Sequence, residues 1–383
     1  MPYNISLNNI DAKKWITRQC NPWNDRIRLG EDIRIVDLFS GCGGLTYGVV
    51  EAALANGYNP IIELAIDNNV NALNVYKANF EVYSNNVLNQ NITDLFQFNS
   101  SMKLNNCELE LKERIGNVDV LVAGPPCQGH SNLNNSTRGN DPRNKLYLSC
   151  VQAIKILMPS FVIIENVPSV VNSKENVVEI TKESLSTLGY SYREFKIDFL
   201  RLGIPQSRKR HIIVASKNQE FIAELFIDDS DFNRPRLSDY ISDLEDVQSN
   251  GSVMNSSGKI TRINKKRIDY LFDNDLYDLP NDQRPNCHRT KQHSYKSNYG
   301  RLNYSLPAQT ITSGFGSMGQ GRYVHPTQRR TISVREAARI QGFSDDFIFD
   351  VNQSLTEIRK MIANAVPPQL SYVLVNHYIE SIN

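Results

Sequence analysis

Short apolar runs alternate with longer amphipathic stretches through the first half of the chain, and each run ends in small or polar residues. Residues 34–39 (RIVDLF) predict a strand that closes in a turn over 40–44, and residues 45–55 predict the helix that follows. The pattern repeats with strands over 61–66, 118–123, 161–164 and 211–215 and a helix over 70–79. Strands alternating with helices predict parallel pairing, because parallel neighbours need a crossover between them. The expected fold is therefore α/β, with a doubly wound, mostly parallel sheet and helices on both faces.

After Ser216 the periodicity weakens and Asn, Asp, Ser and Arg dominate to about Arg330. This predicts a second, smaller lobe. Amphipathic patterning returns over 334–341 and 369–378, so the C-terminal part is expected to rejoin the first lobe. The expected division is an N-terminal extension (1–33), a cofactor-binding domain (34–219 and 331–383) and a smaller domain with its hinge (220–330).

With 383 residues, 40% of them hydrophobic, the chain can bury one large core and a minor one. No apolar run reaches membrane-spanning length and the N-terminus lacks a leader pattern, so a cytoplasmic protein without membrane contact is expected. The six cysteines lack disulfide or CxxC spacing and are expected as free thiols. Cys287, His288 and His293 lack a second ligand pair, so no metal is expected.

The net charge of +1 conceals an uneven distribution. Residues 283–335 contain no acid, although 41 acids in 383 residues would place about six in such a window. The window carries Arg284, Arg289, Lys291, Lys296, Arg301, Arg322, Arg329, Arg330 and Arg335, interleaved with Tyr295, Tyr299, Tyr304, Phe315 and Tyr323. Unopposed cations with aromatics predict a polyanion-binding face.

Chemistry concentrates at the expected strand ends. The turn Ser40, Gly41, Cys42, Gly43, Gly44 removes side chains where a backbone must approach a ligand, without specifying which cofactor. Asp67 suits a ribose diol, or equally the N-cap of the next helix. In GPPCQGHS, two prolines and two glycines present Cys127 on a sharp turn, where a lowered pKa would make a nucleophile.

The ordered blocks DLFSGCGGL, GPPCQGHS, ENV, QSRKR, REAARIQGF and NAVPP resemble the motif series of the DNA cytosine C5 methyltransferases of bacterial restriction-modification systems, from about residue 34 to the C-terminus. The resemblance implies a Rossmann-like domain that binds S-adenosylmethionine and releases S-adenosylhomocysteine, and a target-recognition domain. It implies Cys127 as the nucleophile toward C6 of a flipped cytosine, Glu165 on N3 and the exocyclic amine, and Arg208 and Arg210 holding the base and Glu165. It places Asp37, Phe39, Ser40, Gly41, Cys42, Gly43, Gly44, Asp67, Asn91, Ile92, Pro126, Leu146, Asn364 and Ala365 around the cofactor. Ser131, Arg143, Arg289, Lys291, Lys296, Arg301 and Arg322 are expected on DNA, with residues 132–145 as a loop closing over it. Three departures stand out: Ala363 where a Gly usually precedes the Asn, Asn91 for an Asp, and His130 for a Phe.

A monomer acting on double-stranded DNA, paired in the cell with an endonuclease of the same specificity and located on the nucleoid, is the resulting expectation. A transfer-RNA cytosine methyltransferase and a non-catalytic DNA-binding relative are the alternatives. The former group typically carries a Cys-Phe-Thr tripeptide, which is missing here, and the catalytic set speaks against the latter.

Overall fold

A computed structural model describes residues 3–5, 11–18, 30–101, 103–126, 146–227, 232–245, 251–289, 297–349 and 352–383. Seven strands form the main sheet: β1 (Asp32–Leu38), β2 (Asn59–Asp67), β3 (Val87–Asn89), β4 (Val120–Ala123), β5 (Phe161–Asn166), β6 (Ser191–Asp198) and β7 (Lys209–Ser216). Their order is β3-β2-β1-β4-β5-β7-β6, with only β7 antiparallel to its neighbours. The winding reverses between β1 and β4, and the crevice beyond their C-terminal ends is where such sheets bind ligands.

The central strands are apolar on both faces because helices cover both. Ile35, Val120, Val122 and Ile163 join one core cluster, while Val36, Leu38, Leu121, Ala123 and Ile164 join the other. On the first face, α2 (Gly44–Ala55) is sandwiched between the sheet and the C-terminal helix Pro368–Ile382. Gly48 permits this approach, since a Cβ there would stand 1.9 Å from the Pro368 carbonyl oxygen. The other face carries the helices Asn106–Ile115, Tyr147–Leu157 and Val177–Thr187.

The N-terminal segment is tied into this body. In α1 (Ala12–Thr17), Trp15 meets Tyr47 and Tyr372 edge-on. Arg18 donates to both Glu51 carboxylate oxygens, at 3.1 and 2.7 Å, and pairs with Asp346 at 3.2 Å. Tyr3–Asn4 pairs in parallel with Leu225–Phe226.

The smaller lobe has its own core of Ile268, Leu271, Leu279, Tyr299, Met318 and Val324, built around the helix Arg262–Asp273. It joins the first lobe through Ala308–Gln309, which pairs in parallel with Gln206–Ser207. Strand β6 is absent from the expected elements: as an edge strand (SYREFKID) with most residues partly or fully exposed, it shows no apolar run. Arg210 lies within β7 rather than in the expected loop before it.

Candidate active site

Three elements converge at the C-terminal ends of the central strands. Glu165, 7% exposed near the end of β5, faces Ile212 in the register with β7. Arg210, two positions away on that strand, projects from the same face, and its Nε lies 2.7 Å from Glu165 Oε1. The Cβ position of Gly124 is 4.0 Å from Glu165 Oε2 and 3.9 Å from Val366 Cγ2, so the GPPC turn leaves β4 beside this carboxylate. Cys127 itself lies outside the described residues, as do Ser131, Arg143, Lys291, Lys296 and the loop 132–145.

Asn166, which sequence reasoning missed, holds the root of that turn. It is 1% exposed, donates from Nδ2 to the Pro125 carbonyl oxygen at 3.1 Å, and accepts at Oδ1 from the Val167 N–H at 2.8 Å. Its signal was available: an amide following Glu165 at a strand end must satisfy both of its polar groups.

Arg208 meets the NAVPP turn. It is 4% exposed and donates to the carbonyl oxygens of Ala363 (2.9 Å) and Ala365 (3.4 Å), at the end of the helix Leu355–Asn364. The strand breaks at residue 208, between Gln206–Ser207 and β7, so the alternation that would put Arg208 and Arg210 on one face is lost. Arg208 steadies the NAVPP turn, while Arg210 meets Glu165.

The loop after β1 is held by the end of β2. Asp67 accepts from the Gly41 N–H at 2.9 Å and the Asn69 N–H at 2.8 Å. Burial raises its pKa, and these backbone donors oppose the rise. The alternative N-cap role belongs instead to Asn69, whose side chain accepts from Asn71 and Ala72. Phe39 has φ 58°, a left-handed conformation that is strained for a bulky residue and worth explaining by function. Gly43 and Gly44 have no room for side chains: their Cβ positions fall 2.3 Å from Phe80 Cε2 and 2.2 Å from the Val366 carbonyl oxygen. The Ser40 hydroxyl is buried without a hydrogen-bond partner.

Three expected cofactor residues point inward. Asp37 is 1% exposed and accepts from the Thr46 hydroxyl, which also meets the Tyr76 hydroxyl at 2.9 Å; burial pushes its pKa up to about 8. Cys42 sits in the core, where burial pushes its thiol up to about 12, and Ile92 is buried too. These side chains support the loops from behind. Asn91 is exposed and caps the helix Ile92–Leu95, Asn364 is exposed at its helix end beside Ala365, and Leu146 and Pro126 are partly buried.

Residues 33–380 match the model of the C-5 cytosine-specific DNA methylase family. The chain belongs to this family. It is 42% identical to the Type II methyltransferase M1.BsuMI of Bacillus subtilis over 98% of its own length and 87% of that protein. It is 27% identical to the Type II methyltransferase M.DdeI of Desulfomicrobium norvegicum, over 92% and 90% of the two chains. The fold matches that of the S. pombe Dnmt2 methyltransferase with a TM-score of 0.62 at 17% identity, covering 92% of this chain and 100% of the other. The methylase thus acts on cytosine C5 in DNA, and S-adenosylmethionine is its methyl donor. The site fits that donor: the tight glycine cradle, the orphaned Ser40 hydroxyl and the Asp67 carboxylate offer close backbone approach and polar partners.

The acid-free window reads differently in three dimensions, because its cations find acids from outside it. Arg301 lies over Phe272 and Tyr277, donates to the Pro326 carbonyl oxygen at 2.7 Å and pairs with Asp275 at 3.2 Å. Arg322 meets Asp278 at 2.5 Å and donates to the carbonyl oxygens of Tyr277 and Arg301. Arg329 pairs with Asp269 and Asp273, Arg330 with Glu336, and Arg335 with Asp345. Arg301 and Arg322 therefore brace the smaller lobe through these acids. Arg289 is exposed and donates to the Arg284 carbonyl oxygen.

Two buried glutamines, also missed in the sequence, link the lobes. Gln206 accepts from the Ile311 N–H at 2.8 Å and donates to Gln341 Oε1 at 2.7 Å. Gln341 in turn donates to the Ala365 carbonyl oxygen at 2.5 Å. The signal that could have marked Gln341 is an amide directly after the apolar face of REAARI; Gln206, followed by Ser207 and a basic run, carried none.

Proposed function

We propose that the protein methylates cytosine C5 within one double-stranded DNA sequence through a covalent adduct on Cys127, as the protective partner of a restriction endonuclease. The observation that carries this is the convergence of Glu165, Arg210 and the GPPC turn at one end of the sheet.

Cytosine C5 is too weak a nucleophile to accept a methyl group unaided. The Cys127 thiolate adds to C6, and the ring electrons move toward C5 and N3. Glu165, steadied by the Arg210 guanidinium, hydrogen-bonds the N3 edge and supplies the proton that neutralises it. S-adenosylmethionine, when bound, supplies an electrophilic methyl group on a sulfonium. Loss of the C5 proton to water, expulsion of the Cys127 thiolate and return of the N3 proton to Glu165 then restore the aromatic ring. The target must be flipped out, since C5 and C6 lie within the duplex stack. Phe39, Ser40, Gly41, Gly43, Gly44, Asp67, Asn91 and Asn364 would hold the donor, and residues 220–330 would serve as target-recognition domain and hinge. A monomer on the nucleoid, free of metal, completes this reading.

The test is trapping on duplex containing 5-fluorocytosine, whose fluorine cannot leave as a proton does. Wild type should form a denaturant-resistant adduct and Cys127→Ser none; an equal adduct with both sinks the mechanism. Bisulfite sequencing of DNA from expressing cells gives the modified base and its sequence context together.

A further inference from the structure

Arg301, Arg322, Arg329, Arg330 and Arg335 are matched by carboxylates, whereas one arginine at the seam between the lobes meets none among the described residues. Arg359 lies on the helix Leu355–Asn364, five residues before Asn364. At 1.5 Å of rise per residue this places it roughly 8 Å along the axis from the turn that meets the cofactor loop. Its Nε and Nη2 are buried without hydrogen-bond partners among the described residues. Among the described residues no carboxylate offsets the burial that lowers its pKa. Glu357 on the same helix is engaged by Lys360 at 2.7 Å.

The smaller lobe holds this guanidinium in place. Its Cζ lies 5.7 Å from the centroid of the Phe315 ring, which is fully buried. A Cβ at Gly316 would fall 2.3 Å from Cζ and 2.5 Å from Nη1, so only glycine lets the loop come this close. On its other side the loop is fixed as tightly, for a Cβ at Gly258 would stand 1.8 Å from the Gly316 carbonyl oxygen. Six residues upstream of that loop, Ala308–Gln309 pairs with Gln206–Ser207, next in sequence to Arg208 and Arg210.

A partly desolvated cation without an anion costs stability unless something repays it. Its position, between the DNA-reading lobe and the turn beside the reaction centre, favours an anion that arrives with the substrate. We propose that Arg359 is a DNA phosphate contact at the seam of the two lobes, pre-oriented by Phe315 and Gly316 and engaged when the duplex enters the cleft. This rests on the DNA methylase reading above. An arginine suits the task because its planar fork keeps its charge while stacked on a ring and still presents N–H groups at its edge.

The experiment is binding against log salt, with fluorescent duplexes carrying either the site mapped by bisulfite sequencing or a scrambled sequence. Arg359→Ala should bind both about tenfold more weakly at low salt, with a salt dependence shallower by about one unit. Its affinity for S-adenosylhomocysteine should match wild type, and Arg359→Lys should recover most of the salt slope. Wild-type affinity and slope in Arg359→Ala would overturn the proposal, and so would a loss confined to the mapped site, which marks a base contact. Should Arg359→Ala melt early, Gly316→Ala displaces the guanidinium while keeping its charge and should weaken both duplexes; unchanged binding there also overturns it. Wild-type protein that neither binds nor methylates DNA would instead defeat the methylase reading itself.

Discussion

Asn166 Nδ2 donates to the Pro125 carbonyl oxygen across 3.1 Å, so the last residue of β5 fixes the chain two residues before Cys127. Glu165 is its chain neighbour, and one strand end therefore holds this carboxylate and the root of the GPPC turn together.

Asn166→Ala should lower kcat by roughly ten- to hundredfold, the ~1–3 kcal/mol lost when a buried partner is left unsatisfied. Cofactor affinity should stay within about twofold, because Asp67 and the loop after β1 do not touch Asn166. A rise in KM for DNA with kcat unchanged would show that Asn166 does not act through the turn.

Glu165→Gln leaves the Arg210 guanidinium without its charge partner and N3 without an acid. Turnover should fall by several orders of magnitude while S-adenosylmethionine binding persists, as single-turnover kinetics with calorimetry can show. Wild-type turnover in this variant would remove Glu165 from the mechanism.

Asp37 gives a pH-dependent signature. Burial raises its pKa from 3.8 to about 8, so the folded state keeps a proton that the unfolded state releases. Its contribution to stability is complete below the unfolded value and declines as pH rises through about 8. Asp37→Asn keeps an acceptor for Thr46 and removes the titration, so its melting temperature should fall less than that of wild type across this window. Parallel curves for the two proteins would assign the dependence to another group.

Arg301→Ala should destabilise the smaller lobe by about 2 kcal/mol, through lost stacking on Phe272 and the bond to Pro326, and leave the methylated sequence unchanged. A calorimetric melt and a bisulfite profile decide the matter. A shifted target sequence with an unchanged melt would restore Arg301 as a base reader.

Most of the main sheet could be read from the chain because its central strands are buried on both faces and are mostly apolar. Strand β6 and the helix Arg262–Asp273 could not, since both leave most side chains in solvent and mix charges of both signs. The contact of Arg210 with Glu165 followed from motifs whose chemistry is local. Arg301 and Arg322 did not: a one-dimensional charge window cannot see Asp275 and Asp278 folding back on them. Asp37 and Cys42 show the complementary error, because sitting in a cofactor motif does not decide which way a side chain points.

The helix Pro368–Ile382 closes over α2, and the Ser371 hydroxyl donates to the Leu45 carbonyl oxygen 326 positions away. The floor of the cofactor loop is thus shared by stretches that leave the ribosome far apart in time. A nascent chain carrying every residue of the first motif still lacks the carbonyl groups of Val366 and Pro368 that pack against Gly44 and Gly48. Contacts of such separation form late in folding. Methylation competence should therefore appear abruptly, when translation has passed the NAVPP block, and a ribosome stalled before it carries a chain that leaves the genome unmarked.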